Sequence, residues 1–229
     1  MNLQSSGLDK DPRFLDWIKL LQKQRPNAKR NLDQFPATVD TLQKRVALLK
    51  RFVSRGPILF LGDFDLTALA LGYHHPRTEL TVIDIDQDLL NFISQAASTH
   101  DLPTNTIRHN FKNPLPREFR NYQTVFMDPP YTPVGIQYWL QRALETTIGT
   151  GRNKKRKSEQ FLSRIRYLLA YAYSDTASAR GWDVQKVIAD LGLLIDEKFR
   201  FFNQYHKAKP SDLYILRPTP KLLAWKSHQ

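Results

Sequence analysis

Three short segments of this 229-residue chain carry carboxylates: Gly62-Asp63-Phe64-Asp65, Asp84-Ile85-Asp86 and Asp128-Pro129-Pro130-Tyr131. Carboxylates held close together in a water-poor cleft destabilise one another unless a cation or a set of hydrogen-bond donors faces them. A sulfonium cofactor with a ribose diol and an amine is a partner of that kind. Asp-Pro-Pro-Tyr is the sharpest of the three. Its two prolines remove two backbone donors and stiffen the loop. The Asp128 side chain and the proline carbonyls are left as fixed acceptors, and Tyr131 adds a stacking face. A Gly-Asp after a strand is also a common turn, and an acid at a strand end also caps helices. The order of the three, one strand apart, is what argues for a site.

Each segment needs an element to place it, and the sequence supplies short apolar runs. Pro57 to Leu61, Leu80 to Ile83 and Thr124 to Met127 read as buried parallel strands, and Thr104 to Arg108 as another. Between them lie helical stretches: one from Thr38, with Leu42, Val46, Leu49 and Val53 on one stripe, then Leu66 to Gly72, Gln87 to about Ser98, and Pro133 to Leu144. Thr38 or Asp40 is the expected cap of the first. Further on, a fifth strand is expected over Tyr167 to Tyr173 and a helix over Asp183 to Leu191. Two last strands, Ile195 to Phe202 and Asp212 to Leu216, are close enough in sequence to pair antiparallel. The class is therefore α/β, a mostly parallel sheet with helices on both faces and an antiparallel edge. Ligands of such sheets bind at the carboxyl ends of the strands, where the three acidic segments fall. Residues 1–31 read as an N-terminal helical or flexible extension around Phe14, Leu15, Trp17, Ile18, Leu20 and Leu21, closed by Pro26. Residues 32–229 form the body.

Composition narrows the choice further. Hydrophobic residues are 41% of the chain, enough for a globular core, and no apolar run reaches membrane-spanning length. No secretory signal is visible, and a cytoplasmic protein is expected. With no cysteine, disulfides, thiolate zinc sites and thiol nucleophiles are excluded. His74-His75, His100, His109, His206 and His228 show no ligand spacing, so no metal is expected. Trp139, Phe199, Phe201 and Phe202 read as core. There is no Gly-x-Gly-x-x-Gly, so Gly62 alone must do what a glycine-rich loop does elsewhere. The net charge of +12 raises the expectation of an anionic partner. Arg152, Lys154, Lys155, Arg156 and Lys157, with Arg164 and Arg166, are candidate phosphate contacts, or else a solvated loop.

Asp128-Pro129-Pro130-Tyr131 resembles the catalytic loop of methyltransferases that act on amino groups of adenine or cytosine. A wider resemblance spans roughly residues 30 to 217. Asp33-Gln34-Phe35-Pro36-Ala37-Thr38, Leu61-Gly62-Asp63-Phe64-Asp65-Leu66-Thr67, Val82-Ile83-Asp84-Ile85-Asp86, Asn113-Pro114-Leu115-Pro116 and Asp128 to Pro133 occur in order, followed by Phe202-Asn203-Gln204-Tyr205 and Ser211-Asp212-Leu213-Tyr214. Together they resemble the catalytic domain of branched-chain polyamine synthases, the N4-bis(aminopropyl)spermidine synthase family. That resemblance implies a class I methyltransferase-like, Rossmann-like fold and decarboxylated S-adenosylmethionine as donor of aminopropyl groups to a polyamine amine. It implies Asp65, Asp128, Pro129 and Tyr131 as the catalytic set. Gln34, Phe35, Gly62, Asp63, Asp84, Asp86 and Asn110 would hold the cofactor, with Gln34 and Phe35 as a lid. Family members often carry a further N-terminal winged-helix-like domain. Two positions depart from the family pattern: Phe64 replaces the middle acid of Gly-Asp-Asp-Asp, and Asn110 stands where an Asp is usual.

Three readings follow. One is aminopropyl transfer to a polyamine. A second is methyl transfer from S-adenosylmethionine to an amino group on DNA or RNA, with the basic block on phosphates. A third is a basic binding module that keeps the fold without the activity. A homodimer is an open expectation for all three.

Overall fold

A computed structural model describes residues 11–119, 122–147, 164–171 and 178–219. Seven strands form one sheet: β1 Ile58–Leu61, β2 Leu80–Asp84, β3 Thr104–Arg108, β4 Thr124–Met127, β5 Arg166–Tyr171, β6 Leu193–Asn203 and β7 Ser211–Pro218. Their order across the sheet is β3-β2-β1-β4-β5-β7-β6. The first five run parallel, and β7 runs antiparallel to both β5 and β6. This is the class I methyltransferase-like sheet. The order reverses at β1, so the acidic turns after β1, β2 and β4 come out side by side on one edge.

Alternation along the strands builds two cores. Phe60, Val82, Phe126 and Leu168 point to one face, while Leu59, Leu61, Val125 and Leu169 point to the other. Helices α1 Pro12–Gln24, α2 Val39–Leu49, α3 Thr67–His74 and α4 Gln87–Thr99 cover the first face. Helices α5 Pro133–Thr147 and α6 Ser178–Asp190 cover the second. The stripe Leu42, Val46 and Leu49 of α2 is fully buried, and Thr38 caps the helix by accepting from the Thr41 N–H. Asp11 caps α1 in the same way. Phe14 and Ile18 of α1 are fully buried in the core shared with β1 and β4. Among the described residues no helix is long and apolar enough to cross a membrane.

Two expectations need correction. Phe201 is 54% exposed, not core. Its φ of 51° lies within an irregular stretch of the β6–β7 pairing, and its N–H is held by Asp212 Oδ1 at 2.8 Å. That bulge turns the ring outward, while Phe202 stays buried. Helix α6 begins at Ser178, before the Asp183 expected from periodicity. The part of the fifth strand expected beyond Tyr171 lies outside the described residues.

Candidate functional site

The turns after β1, β2 and β4 line a cleft of about 680 Å³ together with residues 31–35, Asn110 to Lys112, the start of α5 and Tyr205. Gly62 forms its floor. Its φ is +65°, and an added Cβ would stand 2.6 Å from Trp139 Cη2 and 3.6 Å from Asp84 Oδ2. Glycine is required there both for the left-handed turn and for the room. Gly62→Ala is expected to lower unfolding free energy by about 1–3 kcal/mol through overpacking and turn strain. Denaturant titration checks it. Trp139, expected in the core, is instead half-buried at the cleft wall, edge-on to Phe111 at 4.7 Å.

The carboxylates differ in what they face. Both oxygens of Asp63 accept backbone N–H groups at the start of α3, from Thr67 and Ala68 at 2.8 Å. Burial still pushes its carboxyl up to about 7, against those two hydrogen bonds. Asp84 is likewise raised, mainly by burial. Among the described residues neither is ion-paired. Asp86 is used locally. It caps α4 and meets Lys29 Nζ at 2.6 Å and Gln34 Nε2 at 3.0 Å. Burial would raise it, and those two donors outweigh burial and hold it below its usual range. Gln34 is thereby fastened, its Oε1 accepting from the Lys29 N–H at 2.8 Å. Phe35 lines the cleft above. Asn110 is exposed at the cleft edge, and its side chain accepts from the Lys112 N–H at 3.0 Å.

Asp65 and Asp128 are joined by a residue the sequence reading did not single out. Arg45 of α2 is almost completely buried. It donates from Nη1 to Asp65 Oδ2 at 2.8 Å, from Nη2 to Asp128 Oδ2 at 2.7 Å and from Nε to Asn203 Oδ1 at 2.8 Å. Burial disfavours its charge, yet the two carboxylates hold it protonated far beyond need. Asp65 is saturated: its Oδ1 accepts the Ala37 N–H at 2.7 Å, with Arg25 Nη1 4.0 Å away. Arg25 lies over the Phe64 ring at 4.1 Å and donates to the Phe64 carbonyl, which is how the departure at Phe64 is accommodated.

Asp128 is asymmetric. Its Oδ2 takes Arg45 and the Tyr205 hydroxyl at 2.8 Å, whereas Oδ1 lies 3.3 Å from Tyr131 Oη and faces the cleft. Burial and the Asp65 charge raise Asp128 above the usual carboxylate range, outweighing Arg45 and Tyr205. Pro129 and Pro130 follow in the cleft wall. The proposed phosphate contacts Arg152, Lys154, Lys155, Arg156 and Lys157 lie outside the described residues. Arg166 opens β5 and pairs with Asp196 at 3.3 Å, at the end of the strand away from the cleft.

The arrangement fits a nucleoside sulfonium. A glycine floor admits a ligand backbone closely, and beside it the Asp63 and Asp84 carboxylates, not ion-paired among the described residues, are complementary to a cation or hydroxyl donors. The model of the branched-chain polyamine synthase A C-terminal domain matches residues 13–215. The chain belongs to this family. An uncharacterised protein of Methanocaldococcus jannaschii is 31% identical over 195 residues, covering 84% of this chain and 46% of that protein. The N(4)-bis(aminopropyl)spermidine synthase of Thermus thermophilus is 33% identical over 142 residues, covering 61% of this chain and 40% of that enzyme. The chain thus spans about half the length, or less, of these relatives. A crystal structure of the branched-chain polyamine synthase from T. thermophilus, in complex with N4-aminopropylspermidine and 5'-methylthioadenosine, superposes with a TM-score of 0.76. The two are 24% identical, over 92% of this chain and 65% of the other, and they share the fold.

Proposed function

We propose that this branched-chain polyamine synthase relative is a cytosolic aminopropyltransferase that alkylates an amine nitrogen of a polyamine. The observation that carries this reading is the asymmetry of Asp128 in the cleft wall: Arg45 and the Tyr205 hydroxyl both fall on Oδ2, and Oδ1 meets the Tyr131 hydroxyl at 3.3 Å. The donor, decarboxylated S-adenosylmethionine, supplies an electrophilic carbon beside a sulfonium whose sulfur leaves with the bonding pair as a neutral thioether. Gly62, Asp63 and Asp84 would hold its nucleoside and cationic parts. Pro129 O and Asp128 Oδ1 would orient the acceptor nitrogen so that its lone pair faces that carbon. The nitrogen gains a bond and a positive charge, and Asp128 Oδ1 takes its proton. Asp65, bound to Arg45 and to the Ala37 N–H, would hold Arg45 in place and balance its charge. Tyr131 would close the side of the cleft against water.

The test is calorimetric titration with each donor in turn. Decarboxylated S-adenosylmethionine is expected to bind at least about tenfold tighter than S-adenosylmethionine, because the extra carboxylate meets Asp63 and Asp84. Spermidine added to the loaded enzyme should then give a product heavier by one aminopropyl group in mass spectrometry. Tighter binding of S-adenosylmethionine would overturn this reading in favour of amino-group methylation. The net charge of +12 would then point to nucleic acid as acceptor.

A further inference from the structure

Four side chains behind Asp128 close a ring with it. Arg45 Nε donates to Asn203 Oδ1 at 2.8 Å, and Asn203 Nδ2 donates to Ser211 Oγ at 2.9 Å. Ser211 Oγ lies 3.1 Å from Tyr205 Oη, which donates to Asp128 Oδ2 at 2.8 Å, and Arg45 Nη2 donates to the same oxygen at 2.7 Å. Asn203 and Ser211 are fully buried. The ring is drawn from α2, the end of β4, the end of β6 and the start of β7. Backbone bonds tie it down: Ala37 forms a bridge with Tyr205, and the Thr38 N–H donates to Gln204 O at 2.9 Å.

A purely structural network would have no reason to load one oxygen and spare the other. Here every strong donor falls on Oδ2, while Oδ1 meets only Tyr131 Oη at 3.3 Å. Tyr131 Oη is itself 2.9 Å from Tyr205 Oη, and its single proton can serve only one of the two acceptors. We infer that Arg45 and Tyr205 are positioning residues for catalysis: they fix the Asp128 carboxylate by Oδ2 and present Oδ1 to the acceptor nitrogen. This rests on the aminopropyl-transfer reading for its substrate, but the state of the carboxylate can be measured without turnover.

The charged and titratable groups facing Asp128 are few. Arg45 comes from α2, Asp65 and behind it Asp63 from the turn after β1, Tyr131 from its own loop, and Tyr205 from the turn between β6 and β7. Arg45 and the two hydroxyls favour the anion, and Asp65 and burial disfavour it. Removing the Tyr205 hydroxyl or loosening Arg45 therefore raises the pH at which Asp128 ionises. Tyr205→Phe keeps the ring and its packing. Arg45→Lys keeps the charge but reaches one partner where the guanidinium fork reaches Asp65, Asp128, Asn203 and Tyr205.

The experiment measures the acid limb of kcat/KM for spermidine at saturating donor, and the carbon-13 NMR titration of the Asp128 carboxyl, in wild type, Tyr205→Phe and Arg45→Lys. Each variant is expected to move both limb and titration up by about one pH unit. Donor affinity by calorimetry should stay within about twofold, since neither side chain touches Gly62 or Asp84. If rates fall equally at every pH and the carboxyl titrates as in wild type, the role is structural only and the inference is overturned. If the carboxyl shifts as expected but wild type transfers nothing to any amine, the inference stands and the aminopropyl-transfer reading falls.

Discussion

Asp128→Asn should lower kcat for amine alkylation by about 10²- to 10⁴-fold, the range a positioned general base contributes, while donor affinity stays within a few-fold. Asparagine keeps the size of the side chain and an acceptor oxygen, so loop and amine orientation are largely preserved. What disappears is the capacity to take the proton that the nitrogen must lose. Asp65→Asn provides the contrast. Asp65 spends its oxygens on Ala37 N–H and Arg45, so its loss should cost stability more than chemistry. Steady-state and single-turnover kinetics of both variants separate the two roles. Full turnover in Asp128→Asn, or an equal loss in both, would remove Asp128 as the base.

Much of this site was legible from residue types. Continuous apolar runs bounded by acids marked β1, β2 and β4, and a parallel sheet puts the ends of such strands together without further information. Gly62 was legible as the residue that must allow close approach, although its neighbour Trp139 was not, because nothing in the α5 pattern says which side of that helix meets the cleft. Asp86 shows the limit of motif reading. Its position suited a cofactor ligand, but the residue that follows a strand and precedes a helix is also the natural cap, and the cap uses its oxygens. Arg45 did carry a signal. It sits three residues after Leu42 and four before Leu49, inside the apolar stripe of α2, where a charge has no business unless it is paired. Its partners lie 20, 83, 158 and 160 residues away. Asn203, Tyr205 and Ser211 came from matched segments without a role, because hydrogen bonds between distant polar residues leave no periodicity to read.

The largest effect on stability should come from Arg45→Met. Methionine fills much of the arginine volume, so packing around Phe126 and Leu42 is roughly kept. The change instead leaves two buried carboxylates facing one another without a cation, and breaking a buried pair from one side costs about 3–5 kcal/mol. Against a typical total of about 5–15 kcal/mol, that is enough to bring the fold near its midpoint. The deficit should depend on pH in a definite direction. In the variant, Asp128, already raised by burial and by the Asp65 charge, loses the cation that lowers it and holds its proton more tightly in the folded state than in the unfolded chain, where carboxyls titrate near about 4. A group whose folded pKa is raised stabilises the fold fully below the unfolded value, and that contribution is lost as pH rises through the folded one. The variant should therefore lie closest to wild type near pH 4 and fall progressively behind towards pH 8, as buffered thermal and urea unfolding would record. A deficit independent of pH would mean that lost packing, and not the stranded carboxylates, dominates. Arg45 would then be a filler of space and not the counter-ion that lets two acids share one cleft.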